Sequence, residues 1–267
     1  MAMIMKQTCV NIACGSSYID GWLNLDYSAV SPAVTKANLL GRLPLSDVST
    51  EVVYSSHFLE HIPRKKVEGF LSECFRVMKP GGQIRLVLPD LEELCREYLR
   101  QRDANEHAKA DFIVLEMLDQ CVRTEPGGEL GEFYGNLRKG GVSDLMRYVV
   151  ARTGEEFTET QAGGQRFSMA RLSGWLERIY CRSISRLFPS AFLDQNVSFS
   201  SVGERHAWIY DFHSLSDLLE KAGFVSIRKM SFDKSDIQNF PFFPLDATQE
   251  GLPRKGKESM YVEAMKP

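Results

Sequence analysis

Residues 9 to 26 read Cys-Val-Asn-Ile-Ala-Cys-Gly-Ser-Ser-Tyr-Ile-Asp-Gly-Trp-Leu-Asn-Leu-Asp: an apolar run, a glycine turn at Gly15, and a second apolar run closing on Asp26. If the two runs are neighbouring parallel strands, the first tip offers bare peptide to a nucleoside-like ligand and the second offers a carboxylate. Gly15 lacks the Cβ that would keep a ligand off the main chain. One ionised carboxylate at Asp26 can accept both hydroxyls of a ribose. The same residues also suit a tight turn followed by a capping aspartate, so the segment alone leaves both readings open. A second group with chemical potential is His57, Glu60 and His61, whose i, i+3, i+4 spacing places them on one helical face. Arg178, Arg182 and Arg186 would form a guanidinium stripe suited to an acidic or phosphorylated ligand, although a solvated helix face explains them as well. Trp175, Trp208, Tyr210 and Phe212 could stack on a ring, or simply fill a core, with His206 and His213 flanking Trp208.

The elements that must hold these groups alternate. After Asp26, Lys36 to Leu40 reads as a third strand and Glu51 to Ser56 as a fourth. His57 to Met78 has helical spacing, broken at Pro63 and stopped by Lys79-Pro80-Gly81-Gly82. Gln83 to Leu88 is a fifth strand ended by Pro89-Asp90, and Leu91 to about Cys121 is helical. Between Val122 and Ala170 nine glycines exclude one regular helix, and this stretch reads as an insertion. Arg171 to Phe188 regains helical periodicity. The tail returns to the alternating pattern with a helix at Ser214 to Ala222 closed by Gly223, a strand at Val225 to Phe232, and a last strand at Ser259 to Met265. Alternation with short connections predicts an α/β fold, a mostly parallel sheet carrying its ligand at the carboxyl ends of the strands.

The 267 residues carry a net charge of -3, which gives no global attraction to nucleic acid or anionic lipid and leaves a small-molecule ligand. Six cysteines without a Cys-x-x-Cys pair fit reduced, mostly buried thiols, and no zinc site is expected. No window approaches the roughly 20 apolar residues of a spanning helix, so a cytoplasmic protein without membrane insertion is expected.

Asn11-Ile12-Ala13-Cys14-Gly15, Gly21-Trp22-Leu23-Asn24-Leu25-Asp26, Ser55-Ser56-His57-Phe58-Leu59-Glu60-His61-Ile62 and Phe75-Arg76-Val77-Met78-Lys79-Pro80-Gly81-Gly82 together resemble the class I S-adenosylmethionine-dependent methyltransferases. The likeness is to the bacterial branch with a Leu-Glu-His helix start and a Lys-Pro-Gly-Gly turn. It covers residues 9 to 95 well and 206 to 265 more loosely. It implies a Rossmann-like, seven-stranded, mostly parallel sheet with helices on both faces, and a helical insertion between the fifth and sixth strands. Residues 1–121 and 206–267 would form the cofactor domain, and 122–205 a cap over the acceptor.

Carried over by position, the resemblance implies that Ala13, Cys14 and Gly15 line the methionine part of S-adenosyl-L-methionine and that Asp26, with Tyr27 beside it, holds the ribose. Asn38 and Leu39 would meet the adenine, and Ser55 and Ser56 would lie beside the departing methyl group. His57 and Asp90 follow the fourth and fifth strands and are the candidates for removing a proton from the acceptor. Related methyltransferases acting on catechol-like hydroxyls carry Glu-x-x-Glu-His where His57, Glu60 and His61 stand. With His57 replacing the first carboxylate no metal is expected, and Glu60 and His61 are expected to fix the helix start. The pattern's Gly-x-Gly-x-Gly is reduced to Gly15 alone, and Asp26 follows 11 residues later, a spacing that counts against a nicotinamide dinucleotide. The function expected is methyl transfer to a small acceptor, with a sugar or nucleotide-sugar hydroxyl leading. The alternative is a non-catalytic cofactor-binding scaffold. A homodimer is compatible with either.

Overall fold

The computed structural model describes residues 8–28, 31–154, 180, 183, 188, 189, 192, 197, 198, 200, 203–248 and 250–267. Seven strands, β1 (Cys9–Ile12), β2 (Leu23–Asp26), β3 (Val34–Lys36), β4 (Thr50–Ser56), β5 (Met78–Pro89), β6 (Val225–Met230) and β7 (Ser259–Met265), form one sheet in the order β3-β2-β1-β4-β5-β7-β6. The first five are parallel, and β7 runs antiparallel to both β5 and β6. The strand order reverses direction between β1 and β4, where ligands of open α/β sheets sit. The antiparallel β7 has a further effect: its first residue, Ser259, pairs with Pro89, so the start of β7 lies at the carboxyl end of β4 and β5.

One face of the sheet is covered by α1 (Arg64–Val77) and a late helix, α6 (Phe212–Lys221). Val67, Phe70, Leu71, Cys74 and Val77 of α1, with Leu215 and Leu219 of α6, pack on Val10, Ile12, Val53, Ile84 and Val262. Asp211 caps α6 and exchanges bonds with Ser214 in a capping box, while Gly223 takes a φ of +97° just past its end. The opposite face is covered by segment 231–247, whose Ile237, Phe242 and Leu245 pack on Cys9, Val52, Tyr54, Val87 and Tyr261. That segment is held by Arg85, fully buried on β5, which donates to Asp246 Oδ2 at 2.7 Å, to Glu263 Oε1 at 2.6 Å, and to the carbonyls of Ser231 and Lys234.

Helices α2 (Leu91–Asp103), α3 (His107–Val122), α4 (Gly128–Lys139) and α5 (Asp144–Thr153) share a separate apolar cluster of Leu94, Phe112, Ile113, Leu130, Leu137 and Val149. The single helix expected over Leu91 to Cys121 is two helices, because Asn105 adopts a φ of +60° after the cap residue Ala104. The expected third strand is also displaced: pairing with β2 selects Val34–Lys36, and Asn38 turns the chain by accepting the Leu40 N–H on its side chain. The helix expected over Arg171 to Phe188, with Trp175 and the arginine stripe, lies outside the described residues except at a few positions. Cys9, Cys14 and Cys74 are buried as expected, whereas Cys95 is exposed. Among the described residues no helix is long and apolar enough to cross a membrane.

Candidate active site

At the tip of β1 the chain turns through Ala13 (φ +58°) and Gly15 (φ +53°), both left-handed. A Cβ built on Gly15 meets nothing within 4 Å, so it is the left-handed backbone and not crowding that favours glycine. Asp26 at the tip of β2 ties the two ends together: its Oδ2 accepts the Gly15 N–H at 2.8 Å and its Oδ1 accepts the Ser28 N–H at 2.8 Å. Each oxygen keeps a second lone pair. Asn11 donates to the Ser17 carbonyl and Asn24 to that of Ile19, so two buried amides hold the connection where there is no room for a helix.

Over this turn lies a cavity of about 250 Å³, lined in part by Ala13, Cys14, Gly15, Ser56 and His57. Ser56 Oγ is buried there without a hydrogen-bond partner. Burial first, and the Asp26 charge second, push the Cys14 thiol up to about 11, which keeps it protonated and unreactive. Of the other residues expected here, Ser55 is turned away, donating to the Ile12 carbonyl at 3.0 Å in the sheet interior. Tyr27 is 59% exposed, Asn38 is exposed in its turn, and Leu39 is buried in the core under the sheet. The sequence reading missed Arg254 and Lys255, which reach the cavity from the loop before β7. Arg254 donates to Ser17 Oγ and to the Pro244 carbonyl. Its only sequence-level signal was the cationic run Arg254-Lys255-Gly256-Lys257.

A larger cavity, about 430 Å³, adjoins the first, and His57 and Lys255 line both. Its walls include Leu94, Leu130 and Ile209 on the apolar side and Glu116, His206 and Glu258 on the polar side. His57 follows β4 with a φ of +50° and donates its own N–H to the Val87 carbonyl, and such a strained non-glycine backbone is often found at working sites. Its Nδ1 lies 3.3 Å from Glu60 Oε1, and its Nε2 lies 3.0 Å from Ser259 Oγ, which in turn donates to Glu258 Oε1 at 3.2 Å. Burial lowers the His57 pKa against the opposing pull of Glu60, so the ring is neutral at neutral pH. Burial also opposes ionisation of Glu60, but contact with His57 and the nearby imidazoles of His61 and His206 bring its pKa down to about 2. Glu258 is the reverse case: burial, reinforced by Glu116, raises it to about 7.

Asp90, expected as a base, lines neither cavity. It is 2% exposed, caps α2 by accepting the Glu92 N–H at 3.0 Å, and pairs with Lys229. The residue that faces the larger cavity at that sheet end is Glu258, whose carbonyl accepts the Asp90 N–H at 2.7 Å. Gly256 lets this loop approach α5, since a Cβ there would collide with the Arg152 carbonyl oxygen and with Glu258 Oε2. Gly256→Ala should therefore displace Glu258 and destabilise the fold by about 1–3 kcal/mol, read as a lower Tm together with a change in the Glu258 titration.

Residues 11–86 match the methyltransferase-domain family. A protein of Mycolicibacterium smegmatis described as a probable S-adenosylmethionine-dependent methyltransferase is 34% identical over 77 residues, covering 26% of this chain and 29% of that one. The chain thus matches under a third of that relative's length. Similar solved structures include a SAM-dependent methyltransferase from Archaeoglobus fulgidus (12% identity, TM-score 0.41, 97% of this chain and 86% of that one). Another is from Thermotoga maritima (13% identity, TM-score 0.41, 99% and 84%). The match to the methyltransferase-domain family falls on the β1 to β5 part of the Rossmann-like sheet.

Proposed function

We propose that the protein transfers a methyl group from S-adenosylmethionine to a small polar acceptor held in the larger cavity. The observation that carries this reading is that the two cavities adjoin and share His57 and Lys255 as lining residues. One is built on the bare β1 turn of the methyltransferase domain, and the other is of a size suited to a small molecule. The residues present fit the cofactor: the open peptide at Ala13 to Gly15, the buried unpartnered Ser56 hydroxyl and the spare lone pairs of Asp26 are what a nucleoside with an amino-acid tail would use. When bound, it supplies an electrophilic methyl group on a good leaving group. Arg254 and Lys255 offer positive charge to a carboxylate tail.

The chain's own contribution is positioning and proton removal. Glu258 takes the acceptor's proton, and Ser259 and His57 fix its orientation through the bonds given above. Among acceptors, the mixed walls favour a molecule with hydroxyls beside an apolar face, and a sugar or nucleotide-sugar hydroxyl is the leading candidate. In this reading α4 and α5 contribute to the acceptor cap.

Calorimetric titration with S-adenosylmethionine and S-adenosylhomocysteine tests the cofactor half. Asp26→Ala should weaken both by about 1.5–3 kcal/mol, roughly 10- to 150-fold, through loss of charge-assisted bonds to the ribose and loosening of the Gly15 turn. Parental binding by that variant, or no heat with the parent protein, would refute the reading. Binding without transfer to a broad panel of hydroxylated acceptors would instead favour a non-catalytic module.

A further inference from the structure

The wall of the larger cavity holds a cluster that methyl transfer, as described, does not use. Glu60 and His61 lie in the short 3-10 turn Leu59–His61, and His206 arrives from a distant stretch of the chain. Backbone bonds fix the meeting: the Glu60 carbonyl accepts the N–H groups of Ala207 at 2.6 Å and Trp208 at 3.2 Å, and the His206 N–H donates to the Gln120 carbonyl at 2.9 Å. One ligand atom from each of Glu60, His61 and His206 lies within 4.8 Å of the other two.

Two observations at this cluster point to a missing ligand. Glu60 is 0% exposed, yet neither of its carboxylate oxygens accepts a hydrogen bond of good geometry; its nearest imidazole nitrogens are His57 Nδ1 at 3.3 Å and His61 Nε2 at 4.0 Å. His206 is also buried, and its Nδ1 has no partner. Buried polar atoms of this kind are costly and call for a partner. The neighbouring ring is already oriented for one. His61 Nδ1 is 2.8 Å from the Arg205 carbonyl, which can only accept, so Nδ1 carries the proton and the Nε2 lone pair is free on the Glu60 side.

We propose that Glu60, His61 and His206 bind one divalent transition-metal ion at the wall of the larger cavity. Ligand atoms held ~2.0–2.2 Å from a common ion stand roughly 3–4.4 Å apart, so a pair at the 4.8 Å limit needs to close by roughly 0.4–1.8 Å. Two imidazoles and one carboxylate suit zinc, manganese, iron(II) or cobalt, whereas magnesium and calcium prefer all-oxygen sites. In the sequence the spacing of His57, Glu60 and His61 allowed a metal, and none was expected because His57 stands where the related motif has its first carboxylate. In the fold it is His206 that completes the set, while His57 is bonded to Ser259. Because His61 and His206 line the cavity, coordination positions that the protein leaves open face the space where an acceptor oxygen would lie, and an ion there would lower that oxygen's pKa. The proposal does not depend on methyl transfer, and its test reads metal binding directly.

The tag-free full chain, stripped with a chelator and dialysed, is titrated with Co²⁺ and followed by visible absorption and thermal melting. One equivalent should bind with ligand-field bands in the visible, raise Tm, and be displaced by Zn²⁺ but not by a large excess of Mg²⁺. His206→Asn and Glu60→Gln should each weaken Co²⁺ binding about 100-fold or more while the circular dichroism spectrum stays parental. If Glu60→Gln does not fold, His206→Asn decides alone. No cobalt binding below about 1 mM by the folded parent protein would overturn the site, as would cobalt binding that His206→Asn leaves unchanged in affinity and spectrum.

Discussion

Arg85→Met should lower the unfolding free energy by about 3–5 kcal/mol, a fall in Tm of roughly 6–15 °C for a chain of this size. Methionine replaces most of the volume, so the loss is chiefly electrostatic. Arg85 is fully buried and is bonded to both Asp246 and Glu263, with Tyr54 also donating to Asp246 at 2.7 Å. Burial already raises the Asp246 carboxyl, and Arg85 is foremost among the groups that bring it back down. Without the guanidinium, two carboxylates remain in a dry site, and segment 231–247 loses its bonds through the Ser231 and Lys234 carbonyls. Leu245, which lines the smaller cavity where the cofactor is proposed to bind, belongs to that segment, so cofactor binding should weaken with the fold. Adding Asp246→Asn and Glu263→Gln should restore part of the stability, because it removes the orphaned charges. Chemical denaturation of the three proteins measures this, and a change below about 1 kcal/mol in Arg85→Met would contradict the network's role.

The second large effect is expected at Glu258. If it removes the acceptor's proton, Glu258→Gln should reduce turnover by about 10²–10⁴-fold and leave S-adenosylhomocysteine affinity near parental. The pH dependence has a definite sign. With its pKa raised to about 7, Glu258 is ionised only above that pH, so turnover should rise with pH through about 7 and then level off. Stability should move the opposite way. The folded chain holds this proton more tightly than the unfolded chain, whose carboxyl titrates near 4.5, so Glu258 makes stability decline as pH rises from about 4.5 to about 7. Glu258→Gln should flatten that decline. Initial rates and melting temperatures across this range test both halves, and a turnover profile unaltered by Glu258→Gln would assign the base elsewhere.

Much of the frame was legible along the chain, because local patterns report on local structure. Ser259–Met265 was read as the last strand with the bounds it has, and Glu51 to Ser56 lacked only Thr50 at its start. Gly15 and Asp26 were visible as a pair because both lie within one β-turn-β unit, and the hydrogen bond between them closes over only 11 residues. Breaks set by a single backbone conformation were harder to see: nothing in the periodicity of Leu91 to Cys121 marks Asn105, whose short polar side chain tolerates the left-handed turn that ends α2.

The residues facing the acceptor side were decided by tertiary structure. Asp90 looked free in sequence because it follows a strand, but the helix start beside it and Lys229 from β6 take up its carboxylate. Glu258 gave no signal, since its position depends on β7 running antiparallel and so starting where β4 and β5 end. His206 is brought to Glu60 and His61 by the packing of residues 205–208 on the 3-10 turn. The order of residues was enough to determine most of the strands, the Gly15 turn and its tie to Asp26, whose partners are neighbours in the chain. Only the folded sheet, which juxtaposes strand ends far apart in sequence and strips water from their carboxylates and imidazoles, determined which side chains meet at the second cavity and in which direction their pKa values move.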